Sequence, residues 1–349
     1  MNRRNFTRIS TLGGLFALSG NKLQATSGNS TCNKKTRIPN RLKKGDTIGL
    51  IAPASSFSDE AYQTALEHLR YFGFNIKEGK HLHDQKGYLA GEDIARAADI
   101  NAFFADDSIQ GIWCLRGGYG TTRLLSMLDY KTIRKNPKAL IGYSDITALL
   151  MAIYKETGLV GFHGPVAVSE MTEFSEQYLR SVIMEGKAAT YQLSEENQAK
   201  AAEDNAFAAR TIKGGKAQGK LLGGNLSLLS AMVGTPYLPS AKNAIVFIED
   251  IGEKPYRIDR MMTQLLESGW LNDINGLVLG TFNDCHPDEG DRSLTLKEVI
   301  DDRVKGLNVP IAYGYSFGHI DNQITLPIGV KVEMDADIIG LRLLERAAK

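Results

Sequence analysis

Apolar residues along the first half of the chain fall into short blocks whose spacing alternates between two periods. Thr47-Ile-Gly-Leu-Ile-Ala-Pro is a continuous apolar run closed by Pro53 and two serines, the pattern of a buried strand leading into a loop. From Asp59 to Phe72 the apolar positions are Ala61, Ala65, Leu66 and Leu69, which is helical spacing, and Gly73 stops it. Phe74 to Ile76 predicts a second strand, Ala95 to Ala105 a second helix, and Gly111-Ile-Trp-Cys-Leu a short strand ending at Arg116-Gly117-Gly118. A helix from Thr121 to Leu128, a strand from Ala139 to Gly142 and a helix from Asp145 to Tyr154 continue the series. Strands alternating with helices predict a mostly parallel sheet covered on both faces, with reactive groups at the carboxyl ends of its strands.

The pattern breaks between Glu170 and Gly219, a stretch rich in Glu, Gln, Ala and Lys that ends in Lys213-Gly-Gly-Lys-Ala-Gln-Gly. It reads as a linker with room for some local strand or helix. Beyond it, Gly223-Gly-Asn-Leu-Ser-Leu-Leu, a strand from Ala244 to Ile248, a helix from Tyr256 to Glu267, a strand from Gly276 to Gly280 and the run Ile311-Ala-Tyr-Gly-Tyr supply a second core. The expected organisation is a leader over 26–40, an N-terminal domain over 41–169, a linker over 170–219 and a C-terminal domain over 220–349. A length of 349 residues agrees with roughly two domains.

Residues 1–25 have a different character. Arg3, Arg4 and Arg8 precede a weakly apolar stretch from Ile9 to Leu18, followed by small and polar residues, the layout of a cleavable export signal. Arg3-Arg4-Asn5-Phe6 resembles the twin-arginine signal, which implies export of a folded protein to the periplasm, with a cytoplasmic location as the alternative. The apolar stretch is far short of the roughly 20 residues that span a bilayer. Cys32 could mark a lipid anchor, but Asn29-Ser30-Thr31 lacks the residues a lipobox needs.

Charge and cysteine content narrow the chemistry. With 41 basic and 40 acidic residues the chain lacks the footprint of a nucleic-acid binder. Cys32, Cys114 and Cys285 are too scattered for a disulfide scaffold or a Cys-x-x-Cys site. Three polar clusters remain. In Ile141-Gly-Tyr-Ser144-Asp145-Ile-Thr147, a serine on a strand-to-helix turn would hold its hydroxyl over the sheet edge, as a nucleophile or as an ordinary helix cap. Ile146 departs from the G-x-S-x-G elbow pattern. Arg116-Gly117-Gly118-Tyr119-Gly120 offers convergent N–H groups for an anionic oxygen, or a simple tight turn. In the second half, Glu249 ends a strand and His319 follows Tyr315-Ser-Phe-Gly318. A serine nucleophile needs a histidine base held by an acid. His68, His81, His83 and His286 rank below His319, and His163 rivals it on sequence grounds. Asn283-Asp-Cys-His-Pro-Asp-Glu, readable as a metal site, is expected to be a solvated turn.

Taken in order, Gly45-Asp-Thr-Ile-Gly-Leu-Ile-Ala-Pro-Ala-Ser-Ser, Arg116-Gly-Gly-Tyr-Gly, Gly142-Tyr-Ser-Asp-Ile-Thr, Leu222-Gly-Gly-Asn-Leu, Phe247-Ile-Glu-Asp and Gly318-His319 ahead of Leu326-Pro-Ile-Gly resemble the LD-carboxypeptidase family, which includes murein tetrapeptide carboxypeptidases and microcin C7 self-immunity hydrolases. The resemblance implies an α/β fold, with a Rossmann-like parallel-sheet domain and a smaller C-terminal α/β domain with a β-barrel-like core. It also implies a serine peptidase in which Ser144 is nucleophile, His319 base and Glu249 acid. Gly118 and Asp145 would be the oxyanion donors, with Gly117 in reserve, and Arg116 and Asn225 would help place the substrate. No metal or cofactor is implied. The expected reaction is cleavage of the L,D bond before a C-terminal D-Ala of a murein stem tetrapeptide. The alternatives are hydrolysis of a microcin C7-like peptide–nucleotide amide and a non-catalytic periplasmic binding protein. The expected partner is a peptidoglycan-derived peptide, with no nucleic acid and no stable membrane span. A homodimer is left open.

Overall fold

Continuous burial of the short apolar runs builds the first sheet of the protein, a computed structural model that describes residues 35–349. The export signal expected over 1–25, Cys32 and most of the expected leader lie outside the described residues. Strand β1 (Thr47–Ile51) leads to helix α1 (Asp59–Tyr71), whose first turn is capped by the Ser58 side chain accepting from the Ala61 N–H. Strand β2 (Asn75–Glu78), helix α2 (Asp93–Ala105) and strand β3 (Gly111–Cys114) follow. Helix α3 (Tyr130–Lys135), strand β4 (Ala139–Gly142), helix α4 (Thr147–Thr157) and strand β5 (Phe162–His163) complete this half. All residues of β3 and β4 are buried, as expected of strands covered on both faces.

The helix expected over 121–128 is a 3-10 helix, Thr121–Met127. Its entry is fixed at Gly120, at a φ of +132°, and at the Thr121 N–H, which donates to the Asp145 carboxylate over 2.8 Å. These constraints hold the start of the segment in a tighter turn.

The polar segment expected as a linker carries helix α5 (Glu173–Leu179), a π-helical turn over Arg180–Met184, strand β6 (Thr190–Tyr191), helix α6 (Glu195–Lys200), strand β7 (Arg210–Lys213) and the start of strand β8 (Lys216–Asn225). Helix α7 (Leu226–Met232), strand β9 (Ala244–Ile251), helix α8 (Pro255–Glu267), strand β10 (Gly276–Asn283), helix α9 (Leu296–Val304) and strands β11 (Ile311–Tyr313), β12 (Leu326–Pro327), β13 (Lys331–Asp335) and β14 (Gly340–Leu343) complete the chain. Among the segment's strands, β6 and β7 are the two edges of the second sheet. Edge strands need only one apolar face and one paired side, so their composition resembles that of a loop. The end of the expected leader also belongs to the fold, since the Arg37 N–H donates to Gly158 O and its carbonyl accepts from Val160.

The strand order is β12-β5-β4-β3-β1-β2 in the first sheet and β6-β14-β13-β8-β9-β10-β11-β7 in the second. Strands β1 to β5 run parallel, and β12 returns from the far end of the sequence to pair antiparallel with β5. Chain order reverses between β1 and β3, which opens a crevice at their carboxyl ends. The second sheet is parallel at its centre and antiparallel at both ends, and it curls like half a barrel. Strand β8 contributes to the curl by pairing with β13 over its first half and with β9 over its second.

Two glycines let β8 pack closely, Gly223 against β9 of its own sheet and Gly224 against α4 of the first half. A Cβ on Gly223 would sit 1.8 Å from Phe247 O, and one on Gly224 would sit 2.5 Å from the Thr147 side chain. Their absence lets β8 lie against the start of α4, where Thr147 Oγ1 accepts from the Asn225 N–H at 3.1 Å. Residues 35–349 belong to one compact unit with two α/β domains.

Candidate active site

Ser144 occupies the turn between β4 and α4 with a φ of +62°, in the left-handed region that side chains other than glycine rarely enter. The turn throws the hydroxyl out over the sheet edge. It does not cap α4, whose N-cap residue is Ile146 without a side-chain bond. The pattern's missing glycine also has a local explanation. Gly142 makes room for Ile146, since a Cβ at 142 would lie 3.0 Å from the Ile146 side chain, so the small residue two positions before the serine lets the larger one follow it.

Ser144 Oγ lies 2.9 Å from His319 Nε2, and His319 Nδ1 lies 2.8 Å from Glu249 Oε2. With Nδ1 donating to the carboxylate, Nε2 is left to accept the serine proton. Glu249 is fully buried near the end of β9, whereas His319 sits on the loop between β11 and β12. Burial alone would push the Glu249 carboxyl up, but the charge and hydrogen bond of His319, with smaller contributions from His163 and the Asn225 side chain, hold it below its ordinary value. Burial likewise pushes His319 down, and the charge and hydrogen bond of Glu249 reverse it, raising the imidazole above 6.5. Gly318, at φ +122°, keeps the approach open, because a Cβ there would meet Thr281 O at 2.9 Å and Glu249 at 3.1 Å.

The glycine loop after β3 lies against the serine. A Cβ on Gly117 would be 2.9 Å from Ser144 Cβ and 3.1 Å from its Oγ. The Gly118 and Asp145 N–H groups, expected as oxyanion donors, donate to no other group among the described residues. Residues that sequence reasoning missed hold this loop. Ser55 Oγ, after β1, accepts from the Tyr119 N–H at 3.1 Å. Buried Arg96 donates to Pro53 O and Gly120 O, so that α2 ties both loops of the crevice together. Asp145 closes the set by accepting from the Thr121 N–H, while its carbonyl accepts from Thr121 Oγ1 at 2.5 Å. The signal available in the sequence was Pro53-Ala-Ser55-Ser after the first strand, beside the predicted crevice.

The remaining candidates are placed as follows. Arg116 is half-buried and donates to Ser56 O at 3.2 Å, and its other guanidinium donors bond to none of the described residues. Asn225 is buried, caps α7 by accepting from the Leu228 N–H, and donates through Nδ2 to Asp250 Oδ1 at 2.9 Å. Its amide therefore braces the end of β9 from inside the fold. His163 is buried on β5 and takes no part in the serine–histidine–glutamate line. His68 binds Ala167 O, His81 pairs with Asp84, His83 with Glu78 and His286 with Asp284. Among the described residues no three His, Cys, Asp or Glu side chains are grouped to hold a metal ion, and no helix is long and apolar enough to cross a membrane.

Family models for the LD-carboxypeptidase N-terminal and C-terminal domains match residues 48–164 and 218–334. The chain is 41% identical over 297 residues to a probable murein peptide carboxypeptidase of Bacillus subtilis, covering 85% of this chain and 91% of that one. A solved structure of MccF in complex with glutamyl sulfamoyl guanosine superposes with a TM-score of 0.80 at 26% identity, covering 89% of this chain and 99% of that one. The muramoyltetrapeptide carboxypeptidase of Oxalobacter formigenes superposes with a TM-score of 0.73 at 29% identity, covering 85% and 97%.

Proposed function

The chain belongs to the LD-carboxypeptidase family and is a serine-type hydrolase acting on small peptides, and from that premise we propose that Ser144, His319 and Glu249 are the residues that perform the hydrolysis. The observation that carries this is the unbroken hydrogen-bonded line of 2.9 and 2.8 Å from hydroxyl to imidazole to buried carboxylate. His319 Nε2 takes the Ser144 proton as Oγ attacks the scissile carbonyl. The developing oxyanion rests on the Gly118 and Asp145 N–H groups. When the C–N bond breaks, His319 returns the proton to the departing amine, and a water then releases the acyl group by the same route.

Two substrates fit this chemistry. The fold supports the amide of a peptide–nucleotide conjugate of the microcin C7 type, because the match to the MccF complex has a TM-score of 0.80 against 0.73 for the muramoyltetrapeptide enzyme. The 41% identity to a murein peptide carboxypeptidase supports the second reading, release of a C-terminal D-amino acid from a stem tetrapeptide. In either case the free donors of Arg116 beside the glycine loop suit a carboxylate on the substrate.

The test compares glutamyl sulfamoyl guanosine, the tetrapeptide ending in D-Ala, its C-terminal amide and its L-Ala diastereomer, with products measured by mass spectrometry. Glutamate released from the conjugate supports the first reading, and alanine released from the free D-Ala acid alone supports the second. Equal rates on all three peptides would mark a general peptidase, and turnover of none would overturn both. We also propose export through the Arg3-Arg4-Asn5-Phe6 signal, which would bring the enzyme to substrates beyond the inner membrane.

A further inference from the structure

Near the proposed catalytic line several buried polar atoms make no hydrogen bond among the described residues. His163 is 0% exposed, and neither of its ring nitrogens makes a hydrogen bond. Glu249 Oε1, the carboxylate oxygen turned away from His319, is equally buried and makes no hydrogen bond of good geometry, although the Asn225 side chain on the neighbouring strand lies close enough to help lower the carboxyl. Thr325 Oγ1, which lies against Gly164, the residue after His163, is likewise buried without a hydrogen bond. The imidazole is walled by Phe247 at 5.1 Å, Tyr143 at 6.0 Å and Phe317 at 6.5 Å between ring centroids. An apolar wall explains a phenylalanine or leucine at this position, but it does not explain an imidazole, whose two nitrogens lose their water for nothing there. Phe247, which packs on the ring, lies two residues before Glu249 on the same face of β9, and Tyr143 packs on both His163 and His319, at 6.0 and 4.8 Å between centroids.

We propose that His163 is a positioning residue for the catalytic glutamate: its ring N–H points toward Glu249 Oε1, with a trapped water closing the gap, and so fixes the rotamer that presents Oε2 to His319. The proposal rests on the reading of Ser144, His319 and Glu249 as the catalytic line. A carboxylate held through one oxygen can rotate about its last bond, and a donor on the second oxygen removes that freedom. Buried polar atoms left without a hydrogen bond, as the His163 nitrogens and Glu249 Oε1 are, are the partners a buried water requires. Burial pushes the His163 imidazole down to about 4, so the ring is neutral under working conditions and supplies a donor without a competing positive charge. A neutral donor also draws charge from the carboxylate and restrains the basicity that Glu249 confers on His319. The other titratable groups that interact with Glu249 are Asp250, whose carboxylate accepts from Asn225 and Ser227, the Tyr143 hydroxyl and the Cys285 thiol.

The experiment measures the rate at which a fluorophosphonate probe labels the purified protein across pH 5–9, for the wild type and for His163→Phe, His163→Asn and His163→Gln. Ser144→Ala is the control for the underlying reading. If it still labels, the catalytic assignment fails whatever His163 does. With that control silent, His163→Phe is expected to label about 10- to 100-fold more slowly, with the acidic limb of the profile moved to higher pH. The amide variant whose N–H reaches the cavity is expected to recover most of the rate. Labelling of the Phe variant at the wild-type rate with an unmoved limb overturns the proposal, as does an equal loss in all three variants. Should His163→Phe not fold, the far-downfield proton resonance of His319 Nδ1–H decides in the Asn and Gln variants. A shifted resonance in the variant that labels more slowly supports the proposal, and resonances identical to wild type in both overturn it.

Discussion

Adding a single methyl group at Gly117 tests whether the glycine loop lies against the reacting serine. In Gly117→Ala the new Cβ would sit 2.9 Å from Ser144 Cβ, 3.1 Å from Oγ and 3.4 Å from Tyr143 O. Carbon atoms rest at roughly 3.5–4.0 Å, so loop and serine must separate by about 0.5–1 Å. The backbone of Gly117 is not in the left-handed region, so alanine adds no torsional strain there. The serine has little room to retreat, because the next residue, Asp145, is bonded to Thr121 through both its carboxylate and its carbonyl. A displacement of about 1 Å costs roughly 10²-fold in rate, or about 2.7 kcal/mol in the barrier, and a misplaced oxyanion donor takes the loss toward 10³-fold. Thermal stability should stay close to wild type. Gly118→Ala provides the contrast, since φ is +117° and its Cβ would lie 2.3 Å from Ser55 Oγ, so it should lose about 1–3 kcal/mol of stability as well as activity. Fluorophosphonate labelling rates read the nucleophile, and calorimetry reads the fold. A Gly117→Ala protein labelled at the wild-type rate would refute the reasoning.

Three further outcomes are expected. Ser144→Ala and His319→Ala should each lower kcat by about 10⁴-fold or more, with the double variant no worse than either; modest, additive losses in steady-state kinetics would discard the assignment. Glu249 and Asp250 raise the His319 imidazole above its ordinary value against the pull of burial, so with His319 as the proposed neutral base kcat/KM should rise with pH through a limb above the ordinary imidazole range, and Asp250→Asn, which removes a charge that helps raise the ring, should move that limb down. Asp250 itself is raised to about 6 by burial and by Glu249, so a limb that ignores Asp250→Asn would reject this account of the pH–rate profile. Changing Arg3 and Arg4 to lysine should leave an uncleaved precursor in the cytoplasm, and a native chain found there with its N-terminus intact would contradict export.

The parts of the fold legible in the sequence are those whose signal is local. Strands β1, β3 and β4 are apolar runs closed by Pro53, Gly117 and Tyr143, and each ends where a loop of the crevice begins. The Ser144 turn could be read from an apolar strand meeting an apolar helix across a short polar segment. The sheet edges were less legible. Strands β6 and β7 bury little, and β12 is two residues long and pairs with a strand more than 160 positions earlier, so no window of sequence holds either partner's pattern.

The choice between His163 and His319 shows why a site can be half legible. Both follow apolar runs and both sit beside glycine, so local pattern gives them equal standing, and the resemblance to a family separated them. The physical difference is that His163 is enclosed where β5 meets the second sheet, whereas His319 rides a loop that Gly318 lets pass close to Glu249. The two halves meet where Gly224 lets β8 lie against Thr147 at the start of α4, a contact that composition cannot announce. The same contact accounts for the strain at Ser144. A left-handed serine costs about 1–3 kcal/mol, and it persists because the residues around it are tied down on both sides. Asp145 is bonded to Thr121, and Thr147 accepts from Asn225 of the second sheet. Ser144, the proposed nucleophile, is therefore held in its strained turn partly by the domain that carries His319, and loosening the β8 contact should reduce activity before it unfolds the chain.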